Sequence, residues 1–235
     1  MSQMSSPNSS QQTAIEHDRG PLLVLAGAGS GKTLVVTRRI ARLIERGTPA
    51  RNILAMTFTN KAAEEMRERL DKLVGRQGEA TTISTFHAFG LHVLRAEART
   101  MGFRDGKFAI FDQADQSSAV REILRGVKGN RKFDVWAILG RISKAKNDFV
   151  LPDQYEPRDW DEYDDITKMV YPRYVEALRT FRAFDFDDLV CEVAKLFQRR
   201  EDVLERWRSR YWYMLVDEYQ DTNHAQLELV RLLGG

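Results

Sequence analysis

Two groups of residues in this chain have the types and spacing for chemistry on phosphates. The first is Ala26-Gly27-Ala28-Gly29-Ser30-Gly31-Lys32-Thr33. Small residues let the backbone curl until successive N–H groups point at one spot, where a Cβ would block an anion. Lys32 then supplies charge for β- and γ-phosphates, and the Thr33 hydroxyl is a ligand for Mg²⁺. Ala26 stands where the strict pattern has its first glycine, a small loss of backbone freedom with Gly27, Gly29 and Gly31 retained. The second group is Asp217-Glu218, at the end of the apolar run Trp212-Tyr213-Met214-Leu215-Val216. Neither carboxylate is easily buried without a cation. Asp217 would hold Mg²⁺, directly or through water, and Glu218 would take the proton from an attacking water. Alone, such a pair is more often a solvated strand end; the lysine loop upstream turns the reading toward ATP with Mg²⁺.

The elements needed to position these groups follow from periodicity. Leu22-Leu23-Val24-Leu25 is an unbroken apolar run, predicting a strand covered on both faces, ahead of the glycine loop. From Lys32, apolar residues recur at three- and four-residue steps (Val35, Val36, Ile40, Leu43, Ile44) up to Gly47, predicting a helix. A second unit repeats the order: a strand over 53–58, then a helical stripe through Ala62, Ala63, Met66, Leu70 and Leu73 closing at Gly75. A third strand is predicted near 82–84, with a helix from about Phe86, and another at 212–216. Strands alternating with helices predict an α/β fold with a parallel sheet. After about residue 90 the strand signals fade, and helical segments joined by Gly- and Pro-containing loops are expected up to about 183. That stretch is polarised, with Arg121, Arg125, Lys128, Arg131, Lys132, Arg141, Lys144 and Lys146 followed by an acidic run around Trp160. The first ten residues have little to bury, and order is expected from about Gln11.

The whole composition sets limits on this reading. With 235 residues, 43% of them hydrophobic and 30% charged, the chain is long enough for a core and unlike disordered or collagenous sequences. A net charge of +2 makes no case for nucleic acid by itself. Cys191 is the single cysteine, and the scattered His17, His87, His92 and His224 lack metal-ligand spacing, so no His/Cys metal cage is expected. No long apolar stretch or secretory signal is present, which points to a soluble, cytoplasmic protein with no membrane partner.

The run Val216-Asp217-Glu218-Tyr219-Gln220-Asp221-Thr222-Asn223 resembles the second motif of superfamily 1 DNA helicases of the UvrD/Rep/PcrA family. In order along the chain, 26–33 resembles their first motif, Thr57-Phe58-Thr59-Asn60-Lys61-Ala62-Ala63 motif Ia, and Ser84-Thr85-Phe86-His87 motif Ib. Asp185-Phe186-Asp187-Asp188-Leu189 is similar to the segment where the family's chain re-enters its first RecA-like domain. Spacing in the helical stretch is most like the Rep branch. The resemblance covers nearly the whole chain. It implies a RecA-like parallel-sheet P-loop NTPase domain with an inserted all-helical subdomain: a flexible 1–10, subdomain 1A from 11–89 and 183–235, incomplete at its carboxyl end, and subdomain 1B over 90–182.

It also implies a function, ATP-driven 3′-to-5′ movement on single-stranded DNA with unwinding at single-strand/duplex junctions, in replication or repair and with proteins of those processes as possible partners. Residue roles come with it. Gln11 matches the glutamine that reads adenine, a task suited to an amide that offers donor and acceptor together. Phe58, Thr59 and Asn60 match one DNA-contacting turn, and Thr85 and His87 another, where rings stack on bases and small polar groups hold phosphate. Phe58 is equally suited to a core, and His87 to a hydrogen-bonded surface position. The basic segment 121–146 is either a phosphate-tracking surface or a solvated helix face. Gln220 and Asp221 are expected to couple nucleotide state to the rest of the machine.

The sequence departs from the family pattern at Leu34, where many relatives have arginine, and at Pro7, where leucine is usual. It also stops at Gly235, before motif III and the arginines that act on the transferring phosphoryl group. The chain alone is therefore expected to bind Mg-ATP weakly, to hydrolyse it very slowly if at all, and not to unwind DNA. The alternative is a non-catalytic module that binds nucleotide or single-stranded DNA, or docks on a partner.

Overall fold

The computed structural model describes residues 6–27, 29–127 and 132–235, so Ala28, Lys128 and Arg131 lie outside the described residues. In chain order the helices are α1 (Ser9–Glu16), α2 (Lys32–Glu45), α3 (Asn60–Val74), α4 (Phe86–Ala96), α5 (Gln113–Arg125), α6 (Val135–Asn147), α7 (Glu162–Thr180), α8 (Asp188–Arg199), α9 (Glu201–Arg210) and α10 (His224–Gly234). The strands are β1 (Ile53–Thr57), β2 (Thr82–Thr85), β3 (Ala109–Ile110), β4 (Ala183–Phe184) and β5 (Tyr213–Val216). Two compact units result: one takes the chain up to Phe86 and resumes over Glu205–Asp221, the other takes His87–Leu204 and Thr222–Gly235. Among the described residues no helix is long and apolar enough to cross a membrane.

The first unit is built on a parallel sheet in the order β2-β1-β5, with Met56 opposite Ser84 on one side and Val216 on the other. β1 is buried along its whole length, as a central parallel strand must be, which explains its unbroken apolar sequence. Ile53 and Ala55 pack with Ile40 and Ile44 of α2, Met66 and Leu70 of α3, and Ile83 and Leu215 of the flanking strands. The helical stripes read from the sequence are these contact faces. Thr59 caps α3, its Oγ1 accepting the Ala62 N–H at 3.0 Å, and the helix ends at Gly75. Because the strands are parallel, Thr57, Thr85 and Val216 finish at one edge of the sheet, and Phe58–Asn60 and Asp217 leave from it. That carboxyl edge is where open parallel sheets carry ligands.

Two expectations for this unit are corrected. Leu22–Leu25 forms no strand; it runs as irregular backbone with Leu23 at 65% and Leu25 at 86% exposure. An apolar run states that burial is favourable but not which strand edge accepts its backbone, and no strand pairs with this one. Order also begins earlier than Gln11. α1 starts at Ser9 because Asn8 and Gln11 form a reciprocal capping box.

The second unit has its core where α5, α6 and α7 meet, around Val120, Ile138, Ile142, Val170, Tyr174 and Leu178. The stretch expected to be all-helical contains β3, which pairs in parallel with β4, Ala109 opposite Ala183. Nor does every proline sit in a loop: Pro172 lies inside α7, flanked by the buried Val170, Tyr171 and Tyr174. Burial of those side chains offsets the lost backbone hydrogen bond, at roughly 25 cal/mol per Å² of apolar surface. α4 approaches α8 so closely that a Cβ on Gly90 would lie 1.9 Å from the Leu189 carbonyl oxygen. Glycine is the residue that fits there.

Candidate functional site

The loop before α2 turns through two left-handed glycines, Gly29 (φ 73°) and Gly31 (φ 84°). Gly31 is the N-cap of α2 and offers no side-chain cap, and the first turn of α2 holds no acidic residue. The amides at this helix start are therefore capped by no side chain of Gly31 or of the first turn, a condition under which a helix N-terminus accepts phosphate. A Cβ on Gly31 would also come within 3.1 Å of Gln11 Nε2.

Lys32 and Thr33, the first two residues of α2, meet two different carboxylates. Lys32 Nζ lies 3.5 Å from Glu218 Oε2 and 3.5 Å from the Ala26 carbonyl oxygen. Thr33 Oγ1 donates to Asp217 Oδ2 at 3.1 Å. Asp217 is buried, and its backbone N–H donates to the Met56 carbonyl at 2.9 Å, so the sheet itself fixes it. Its Oδ1 accepts the Glu218 N–H at 3.1 Å. Glu218 has a left-handed backbone (φ 51°), and its Oε2 accepts a 2.6 Å bond from Gln220 Nε2. That bond, aided by the charge of Lys32, holds the Glu218 carboxyl below the usual glutamate range. It is thus ionised at neutral pH and able to accept a proton. A hydroxyl and a carboxylate side by side are hard oxygen donors of the kind Mg²⁺ takes, together with water and phosphate oxygens. Among the described residues no group of three or more His, Cys, Asp or Glu converges as a self-sufficient metal cage.

Gln11 stands at the opposite side of the loop. Its Oε1 accepts the Asn8 N–H and its Nε2 donates to the Ser30 carbonyl oxygen, both at 2.8 Å. One donor hydrogen and one acceptor lone pair stay available for a purine edge. Asn8, the partner that fixes this amide, escaped the sequence reading, although Asn-x-x-Gln spacing before a helix is its signal. Ser30 closes the turn on Gly27, Oγ to the carbonyl oxygen at 2.7 Å.

The residues singled out for DNA are placed as follows. Phe58 is half-buried against Phe86, ring centroids 5.5 Å apart, while Thr59 and Asn60 are exposed at the α3 N-terminus. Thr85 is buried at the end of β2. In the second unit His87 is half-buried and its ring lies 4.5 Å from that of Phe186, an exposed aromatic to which the sequence assigned no role. Burial lowers the His87 pKa, so the ring is neutral at pH 7.

Part of the basic segment is paired with carboxylates. The exposed Arg125 pairs with Glu122 and the exposed Lys144 with Asp148, Arg141 with Asp161 and Asp164, and the buried Lys146 with Asp185 and Asp188. Arg121 and Lys132 are exposed as well. The linear pattern does not show which carboxylates fold back onto it.

Comparison with known proteins finds a family model and curated relatives. The family model described as the UvrD/REP helicase N-terminal domain matches residues 7–235. ATP-dependent DNA helicase PcrA of Staphylococcus aureus is 42% identical over 228 residues, 96% of this chain and 31% of that protein. ATP-dependent DNA helicase Rep of Escherichia coli is 44% identical over 230 residues, 97% of this chain and 34% of that protein. The chain thus spans about a third of the length of these curated relatives.

Proposed function

The chain belongs to the UvrD/REP helicase N-terminal domain family, and on that footing we propose that it is the nucleotide-binding and single-stranded-DNA-binding part of an ATP-dependent 3′-to-5′ DNA helicase of replication or repair. Residues 11–89 and 183–235 are assigned to a RecA-like P-loop domain and 90–182 to its helical insertion. The observation that carries the reading is the pairing of neighbours: Lys32 with Glu218, and Thr33 with Asp217 across 184 residues of sequence.

In this reading the loop amides from Gly27 to Gly31 and the start of α2 cradle the phosphates, and Lys32 holds the β- and γ-phosphate oxygens. Thr33 and Asp217 hold Mg²⁺, which when bound neutralises phosphate charge. Glu218, kept ionised, accepts the proton of the attacking water. Gln11 contacts the adenine, and its bond to Ser30 links base recognition to the phosphate loop. Phe58, Thr59 and Asn60 meet single-stranded DNA at the carboxyl edge of the sheet, with Thr85 and His87 contributing a second contact. By itself the 235-residue chain turns over slowly, because the arginines expected to stabilise the transferring phosphoryl group belong to the part of the relatives it does not cover.

The test is direct binding of a labelled single-stranded oligonucleotide. Affinity is expected to fall linearly in log–log form with salt, as phosphate contacts require, and Phe58→Ala is expected to lose about 1–3 kcal/mol of stacking. Salt-independent binding, or none, would remove the DNA half of the proposal.

A further inference from the structure

We propose that Gln220 is a positioning residue that holds Glu218 against Lys32 in the nucleotide-free site, forming a latch that incoming phosphates must open. The inference rests on reading this site as a nucleotide site. Its basis is a convergence on one atom. Glu218 Oε2 accepts from Gln220 Nε2 at 2.6 Å and is the same oxygen that lies 3.5 Å from Lys32 Nζ. Three features fix that oxygen in place. The Glu218 backbone is left-handed at φ 51°, and its carboxylate reaches Lys32 at the start of α2. Its N–H is tied to Asp217 Oδ1, and Asp217 is tied to the sheet through Met56. Gln220 is steadied by a second acceptor, Asp221 Oδ2, at 3.3 Å.

A phosphate that recruits Lys32 takes it from this carboxylate, so part of the binding energy goes into parting the pair. Once Lys32 has moved, Glu218 keeps only the neutral amide as partner. Gln220 thus sets the affinity for nucleotide.

Gln220 and Asp221 are exposed, so Gln220→Leu is expected to leave the fold intact. The probe is a fluorescent ADP analogue titrated without metal into the 235-residue chain, with variants arranged as a double-mutant cycle. Gln220→Leu is expected to bind about threefold to tenfold more tightly than wild type, as loss of one exposed hydrogen bond of ordinary net strength predicts. In a Glu218→Gln background the same substitution is expected to have no effect. Unchanged or weaker binding by Gln220→Leu, or an equal effect in the Glu218→Gln background, would overturn the latch while leaving the nucleotide site standing. No binding by wild type would overturn both.

Discussion

At the scale of single residues, Lys32 and Thr33 face a partly exposed carboxylate and a buried one, and the difference assigns their work. Glu218 is partly exposed and only loosely paired, so Lys32 can leave it; Asp217 is buried and tied into the sheet, so Thr33 keeps its partner. Asp217→Asn is therefore expected to retain metal-free nucleotide binding and to lose the added affinity that magnesium gives, measured by paired titrations with and without the ion. Equal magnesium enhancement in both proteins would count against the assignment. The meeting of Lys32 and Thr33 with the Asp217-Glu218 pair was legible in sequence because small-residue loops and strand-end acids are forced by backbone geometry. The engagement of Glu218 by Gln220 was not, since a left-handed backbone at a glutamate leaves no trace in residue type. Thr59 shows the opposite case: one hydroxyl is read as a DNA contact and found capping α3.

At the scale of elements, α1 is small but holds the loop through Gln11. Asn8→Ala should cost about 1 kcal/mol of cap energy and speed hydrogen exchange at Ser30 and Gly31 more than at β1. Uniform exchange changes would show that α1 and the loop are uncoupled. In the second unit α6 is fastened to α8 by Lys146, buried between Asp185 at 2.7 Å and Asp188 at 2.8 Å, with Tyr174 donating to Asp185. Lys146→Met leaves two buried carboxylates without a cation and is expected to destabilise this unit by about 3–5 kcal/mol, seen as a lower denaturant midpoint. Asp164 gives a pH signature. Bonded to Arg158 and Arg141, it is held well below the usual carboxylate range. Its contribution is present above the ordinary aspartate value and lost as pH falls below it. The acid limb of stability against pH should be shallower in Asp164→Asn. Helices and strands with one partner face were legible from periodicity alone, as α2 and α3 show. Leu22–Leu25 and Pro172 were not, because pairing partners and tertiary burial decide them, and neither is encoded locally.

At the scale of the whole molecule, the site joins the start of α2 to the end of β5, two segments far apart in the chain that meet where β5 ends at the carboxyl edge of the sheet. Family motifs made that meeting legible from sequence, whereas the pairing within the basic segment was not: Arg125, Arg141, Lys144 and Lys146 are answered by acids 3 to 42 residues away. The chain is expected to bind nucleotide and single-stranded DNA without DNA-stimulated turnover, a phosphate-release assay being the check. The most direct measurement is titration of a fluorescent ATP analogue, with magnesium, into the intact chain and Lys32→Ala. The account predicts a loss of about tenfold to a hundredfold in the variant, the worth of a charged hydrogen bond to phosphate; equal affinity in the two proteins would contradict it.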